Sequence, residues 1–393
     1  MTMTQATLRE QSTRAAVHRR LVEAEGAEAL VRASADDVRQ RIVGLIACED
    51  PLLSVECRDR VLGQVLNDVT GLGVLEPLLA DPTVDEIMVN GSGRCYVERA
   101  GELEAVPLAI DDDGIIRLVD RVLAPLALRL DRSSPMVEAR LADGSRLHAV
   151  IPPLAIDGPC LTIRRFGNRQ LGVDAFGVDA ESSEQLRALI DSGANVVISG
   201  GTGSGKTTLL NAMTGFIGAA ERIITIEETA ELRLRQPHVV RLEARTANAE
   251  GMGAVTVREL VRAALRMRPD RLVVGEVRGA EALDLLQALN TGHEGSLSTV
   301  HANSPLDALR RLSTLALFGE TGLPFEAVCD QLRSAVDVIV QVARGAGGAR
   351  EIVSVAEVAA HANGFEVHGL LAQEHGTLRP CGRRARQPRR VSR

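Results

Sequence analysis

Hydrophobic and polar positions follow two different rhythms along the chain. From Cys57, "CRDRVLGQVLNDVTGLGVLEPLL" sets Val61, Val65, Val69 and Leu72 on one stripe at helical spacing, which predicts an amphipathic helix. "ADPTVDEIMVNG" breaks at Asp-Pro and then gives a short strand through Ile87 and Val89. "CYVERAGELEAV" alternates about Ala100-Gly101 as a hairpin does, while "SRLHAVIPP" and "CLTIRRF" bracket a turn at Asp157-Gly158-Pro159. Residues 57–166 therefore read as a small mixed α/β domain. Residues 1–56 before it are polar and read as a loosely attached helical extension.

"GNRQLGVDAFGVDAES" is rich in glycine and polar residues and reads as a linker over 167–182. Beyond it come short β-branched runs separated by helical stretches: "NVVISG", "RIITIEE", "HVVRLE", "RLVVGEV", "GSLSTVHA" and "VDVIVQVA". Near-continuous apolar strands alternating with helices predict a mainly parallel sheet buried on both faces. "EIVSVAEV" offers one further strand, and from His361 the pattern fades. The expected architecture is α/β, with the parallel-sheet domain over 183–360, the smaller mixed domain before it, and a disordered basic tail over 361–393.

Composition narrows the function classes. Aromatic residues make up 2% of the chain, so the cores must be built from Leu, Val, Ile and Ala. The six cysteines (Cys48, Cys57, Cys95, Cys160, Cys329, Cys381) form no Cys-x-x-Cys pair, which suits free thiols in a reducing cytoplasm better than disulfides or zinc. The net charge is −7, yet the last eleven residues, "RRARQPRRVSR", carry six arginines and no acid, which leaves the rest at −13. An acidic body argues against a broad nucleic-acid face. The tail lacks the apolar content to fold, and its charge would suit anionic lipid or nucleic acid. There is no apolar h-region at the N-terminus and no apolar run of transmembrane length, so a cytoplasmic location is expected.

One residue departs from this background: Lys206 is the single lysine among 45 basic side chains. It sits in "GGTGSGKT", Gly200 to Thr207, which fits the P-loop pattern G-x-x-x-x-G-K-[ST]. A strand, "NVVISG", enters the loop, and a helix opening on "TTLLNAM" leaves it. Glycines 200, 201, 203 and 205, with Thr202 and Ser204 between them, allow successive N–H groups to turn toward one anion. Lys206 would then place a compact ammonium between β- and γ-phosphates, and Thr207 a hydroxyl on Mg²⁺. Thr208 follows at the helix start. A planar guanidinium does not fit a pocket shaped for a point charge on a slim stem, which explains why arginine has not replaced lysine here.

Two acidic strand ends follow. "RIITIEETAEL" ends on Glu227 and Glu228, and "RPDRLVVGEVRG" on Glu276. At the carboxyl ends of parallel strands they face the crevice that holds the P-loop. One carboxylate would hold the water shell of Mg²⁺, the role given to Glu276, while another orients the attacking water. "NTGHEGSLSTVHANS" adds His293 and His301, which lack a third metal ligand and are expected to contact phosphate or Glu276, or to be core histidines. No Asn-Lys-x-Asp segment for a GTPase and no LSGGQ-like signature is present.

Together, "GGTGSGKTT", "RIITIEETAEL", "RMRPDRLVVGEVRGAEALDLLQALNTGHEGSLSTVHAN" and "ARLADGSRLHAVIPPLAIDGPCLTIRRF" resemble the secretion ATPase superfamily of type II secretion, type IV secretion and pilus assembly. Within it the chain is most similar to the CpaF-like branch serving tight-adherence (Tad/Flp) pili, over about residues 60–358. The resemblance implies a RecA-like ATPase domain, with Walker A at 200–207, an Asp box at Glu227 and Glu228, Walker B ending at Glu276 and a His box from His293 to His301. It also implies ATP and Mg²⁺, a homo-hexamer, and arginines donated from the N-terminal domain, at positions matched by Arg140 and Arg146. Such a motor has no transmembrane segment and works at the inner face of the cell membrane on polytopic platform proteins. The Asp box here reads Glu-Glu where Glu-Asp is commoner, and Glu227 is favoured as the base. The tetracysteine zinc module of the pilus-extension and type II branch is missing. The rival readings are a RecA-like nucleic-acid translocase, which the shortage of aromatics disfavours, and a non-hydrolysing nucleotide-dependent scaffold. No stable nucleic-acid partner is expected.

Overall fold

The computed structural model describes residues 5–25, 35–99, 101–126, 128–165, 171–247, 250–319, 322–345, 348–361, 364–374 and 377–382. The chain divides into two compact units, residues 1–167 and 168–393.

The first unit begins with three helices, α1 (Gln5–Glu25), α2 (Ala35–Glu49) and α3 (Val55–Thr70). Each offers one narrow stripe of apolar residues four apart: Val17 and Leu21; Val38, Ile42 and Ile46; Val61, Val65 and Val69. The stripes close on one another as a core. Paired Arg14–Asp68 hydrogen bonds of 2.8 and 2.9 Å tie α1 to α3. The N-terminal segment expected to hang loosely is thus packed, because its polar average conceals a stripe only two or three residues long. Ser54 caps α3, accepting from the Cys57 amide at 3.3 Å, so the helix crosses the expected boundary at residue 57.

After a short helix, α4 (Glu76–Ala80), come strands β1 (Glu86–Asn90), β2 (Arg94–Arg99) and β3 (Glu102–Pro107). Helix α5 (Asp112–Leu123) then leads to β4 (Met136–Arg140), β5 (Arg146–Val150) and β6 (Cys160–Arg164). The strands form an antiparallel sheet in the order β3-β2-β1-β6-β5-β4. One face carries Ile87, Val89, Leu147, Leu161 and Ile163 into a core completed by Ile115, Leu118, Val119 and Leu123 of α5. The hydropathy pattern did not reveal α5, which opens on three aspartates, or β4, an edge strand with no fully buried residue.

In the second unit the strand order is β15-β14-β13-β12-β7-β11-β10-β8-β9. The segment from β12 (Val338–Arg344) through β7 (Val196–Gly200), β11 (Leu297–His301), β10 (Arg271–Val274) and β8 (Ile223–Glu227) to β9 (Val239–Glu243) is parallel throughout. Six helices accompany it: α6 (Ala180–Asp191), α7 (Lys206–Thr214), α8 (Val257–Ala264), α9 (Glu281–Leu289), α10 (Pro305–Leu317) and α11 (Phe325–Ala335). Every residue of β7, β8 and β10 is buried, as the unbroken apolar runs require. Two expectations fail at the margins. Val173, Phe176 and Val178 of the supposed linker are buried in the core, and α6 starts within it, while residues 166–170 lie outside the described residues. Beyond β13 (Arg350–His361), the supposed tail forms two antiparallel strands, β14 (Gly364–Glu374) and β15 (Thr377–Pro380). Leu370, Leu371 and Leu378 anchor them, with too few apolar residues between Gly and His to register as a run. The arginines of 383–393 lie outside the described residues.

Candidate functional site: a P-loop at the carboxyl edge of the sheet

Parallel register brings the ends of separate strands to one edge. Gly200 of β7 lies between His301 of β11 and Val342 of β12, and Glu227 ends β8 beside β10. Gly200 has no room for a side chain: a Cβ there would lie 2.4 Å from the Val342 carbonyl oxygen and 2.5 Å from Ser204 Oγ. Gly203 and Gly205 have φ of 69° and 95°, left-handed values that glycine adopts without strain. Ser204 Oγ donates to the Gly201 carbonyl at 2.9 Å and closes the loop on itself. Helix α7 then starts at Lys206, its free N–H groups aimed into the cradle.

Lys206 is buried, and its Nζ donates to the Gly201 carbonyl at 2.8 Å and lies 3.2 Å from His301 Nδ1. Burial lowers the pKa of both groups, which favours a neutral His301 accepting from the lysine through Nδ1. The tautomer assigned by this contact puts the proton on Nε2, 2.9 Å from Glu276 Oε1. That approach is poorly aligned, and Glu276 Oε1 is buried without a true hydrogen bond. Glu276 Oε2 accepts from Arg278 at 2.8 Å, and Arg278 also donates to the exposed Glu228 at 2.7 Å. Lys206, His301, Glu276, Arg278 and Glu228 thus form one run of alternating charge and dipole. Sequence reading missed Arg278, although "GEVRG" sets it two residues past Glu276, the spacing that returns a side chain to one side.

Glu227 is placed differently. Its Oε1 accepts from the Glu231 and Leu232 amides at 2.8 and 3.0 Å, while Oε2 is buried with no partner. Burial pushes its pKa up to about 7 despite those bonds. The side chain lies across Gly275, where a Cβ would be 2.8 Å from Glu227 Cγ, so the glycine before Glu276 makes room for it. His293 does not join the site. It precedes β11, whose five residues at ~3.3 Å each carry the chain to His301 at the opposite edge, and its Nδ1 faces the Ala288 carbonyl at 3.3 Å. Of the alternatives expected for the two histidines, contact at the phosphate end falls to His301 and not to His293, because the strand between them runs from one edge of the sheet to the other.

Thr207 and Thr208 occupy the first turn of α7, and Thr202 is exposed at the loop tip. Ser199 donates to Gln341 Oε1, and Gln341 Nε2 donates to the Ala302 carbonyl at 3.3 Å, a buried link between the P-loop strand and the residue after His301. In the first unit, Arg140 and Arg146 are direct register partners, and Arg164, which motif reading passed over, is the next partner of Arg146. Glu86 of β1 follows as the register partner of Arg164, so the row of arginines ends on an acid.

A glycine cradle with a lysine at a helix start and carboxylates on neighbouring strand ends defines a P-loop nucleotide-binding protein of RecA-like fold. The family described as Type II/IV secretion system protein matches residues 68–382, and the chain belongs to it. It is 42% identical over 300 residues to a putative conjugal transfer protein of Mycobacterium tuberculosis, covering 74% of this chain and 85% of that one. It is 35% identical over 319 residues to the type IV secretion system protein PtlH of Bordetella pertussis, covering 72% and 92%. In fold it is similar to the pilus retraction motor PilT, solved with bound ADP, with a TM-score of 0.55 and 20% identity over 76% of this chain and 82% of that one. Among the described residues, no helix is long and apolar enough to cross a membrane.

Proposed function

We propose that this chain is an Mg²⁺-dependent ATPase motor. It assembles as a homo-hexameric ring at the inner face of the cell membrane and powers pilus assembly or protein secretion through polytopic platform proteins. Within its family we place it in the tight-adherence branch, on the motifs quoted above. The observation that carries the ATPase reading is the chain's single lysine, buried in the glycine cradle and linked through His301 toward Glu276.

The residues fit the ligands. Gly203 and Gly205 hold the left-handed angles that let loop amides turn toward one anion, and Glu276 keeps a buried oxygen without an aligned donor. Lys206 and the loop amides would hold the phosphates, while Thr207 and, through water, Glu276 would hold Mg²⁺. Bound there, Mg²⁺ would supply charge neutralisation on the phosphate oxygens. Glu227, titrating near neutrality with a vacant oxygen, takes the proton of the attacking water. Glu228 steadies Arg278. Arg140 and Arg146 reach the site of a neighbouring subunit, where they meet the charge of the transferring phosphate and couple ring closure to hydrolysis.

The test is ATP hydrolysis measured against protein concentration, with assembly followed by light scattering. Activity that rises with hexamer formation and falls about a thousandfold or more in Lys206→Ala is the expected result. Activity independent of assembly would rule out sites completed by a neighbour, and no turnover at any concentration would favour the scaffold reading. In cells, expression of Glu276→Gln is expected to leave the ring assembled and the surface fibre lost.

A further inference from the structure

The hairpin from the last parallel strand to its antiparallel neighbour returns two arginines to the P-loop. β7 lies between β11 and β12, so His301 flanks the loop on one side and this hairpin on the other. Arg344 ends β12, Arg350 opens β13, and the two are register partners. Arg344 Nε donates to the Gly203 carbonyl at 2.9 Å. Arg350 brings Nη1 to 3.4 Å from Thr208 Oγ1, and its Cδ would lie 2.7 Å from a Cβ on Gly205. The loop's two left-handed glycines are therefore the ones against which the arginines lie.

Two exposed like charges in direct register are unfavourable without a ligand. Glu351, the next residue along β13, accepts from Gln373 Nε2 at 2.5 Å. Lys206 points toward the β11 flank, where Glu276 waits, so phosphates held there would direct the rest of a nucleotide toward the β12 flank. That end is a sugar and a flat base, and the second unit has few flat side chains to receive it. The only Tyr, Tyr96, is in the first unit; Phe176 is fully buried, Phe365 packs against the core, Phe216 lies under Arg187 at 4.5 Å, and the exposed Phe318 and Phe325 lie past the far end of α10, the helix that begins after His301. A guanidinium plane is a surface on which a base can stack.

We infer that Arg344 and Arg350 form the nucleoside half of the site, gripping the sugar and base from the same subunit while Lys206 holds the phosphates. The inference rests on the nucleotide reading proposed above.

Titration calorimetry on the full chain with Mg²⁺ tests it, using ADP and inorganic pyrophosphate as separate probes. Arg344→Ala and Arg350→Ala are each expected to weaken ADP about tenfold while leaving pyrophosphate within about twofold. Lys206→Ala is expected to weaken both probes. Equal losses for ADP and pyrophosphate in the arginine variants would overturn the inference, since the arginines would then only shape the loop. Unchanged ADP binding in both variants would also overturn it. Wild-type protein that binds neither probe would remove the nucleotide reading itself. Thermal melting accompanies each variant; if either alanine change unfolds the chain, Arg344→Gln and Arg350→Gln, which keep most of the stem, carry the same comparison.

Discussion

The two sheets handle charge in opposite ways. In the parallel sheet of the second unit, β7, β8 and β10 are buried along their whole length. Chemistry is confined to strand ends: Lys206 and Glu276 follow them, and Glu227 and His301 terminate them. The antiparallel sheet of the first unit buries one face and opens the other, as the alternating exposure of β1, β5 and β6 records. Charged residues can therefore lie in a row across it, as Arg140, Arg146 and Arg164 do. A sheet covered on both faces sets its functional groups at the strand ends, and a one-sided sheet leaves a charged face open along its strands.

The contrast can be broken at the row first. Arg146→Ala is expected to reduce kcat about a thousandfold with ADP affinity nearly unchanged, because an arginine that acts on transferring charge contributes mostly in the transition state. Single-turnover kinetics beside ADP calorimetry checks this, and equal losses in both would make Arg146 a ground-state ligand instead.

A second break uses the parallel sheet's other edge. Arg271 is 1% exposed and meets Glu221 at 2.6 and 3.0 Å and the Ile190 and Gly295 carbonyls at 2.9 Å. Gly295 is left-handed, and a Cβ there would lie 2.3 Å from Arg271 Nη1. Arg271→Ala removes a buried guanidinium from Glu221 and two carbonyls, and should cost about 3–5 kcal/mol in denaturant unfolding of the second unit. Nucleotide affinity of the folded fraction should not move, and a change there would mean that the two edges are coupled.

The smallest effect is one of pH. Glu227 titrates at about 7 in the fold against an ordinary 4.5, so the fold holds its proton longer than the unfolded chain does. Stability is fully present below 4.5 and declines by about 3 kcal/mol as pH rises through 7. Hydrolysis should move the other way, rising through pH 7 as the base becomes free. Glu227→Gln should remove both slopes, and a rate profile left unchanged by that substitution would assign the base elsewhere.

Much of this was legible beforehand because it depends on local pattern. The P-loop residues and the acids at Glu227, Glu228 and Glu276 follow from short strands that end on special residues. What escaped depends on pairing between distant segments. Arg344 and Arg350 matter only because β12 neighbours β7, and α1 and α2 pack only because stripes of two or three residues find α3. His293 was misplaced for a related reason: a motif gives spacing along the chain but not the edge of the sheet on which each residue emerges. β14 and β15 were missed because antiparallel strands added at a sheet edge need only a few anchors, here Leu370, Leu371 and Leu378.

The lone lysine also makes the chain a single-cut substrate. A protease that cleaves only after lysine has one bond available in 393 residues, between Lys206 and Thr207. That bond lies at the start of α7 with the lysine side chain 6% exposed, so cleavage requires the loop to open. Two fragments of similar size would then report, on an ordinary gel, how often the nucleotide cradle comes apart.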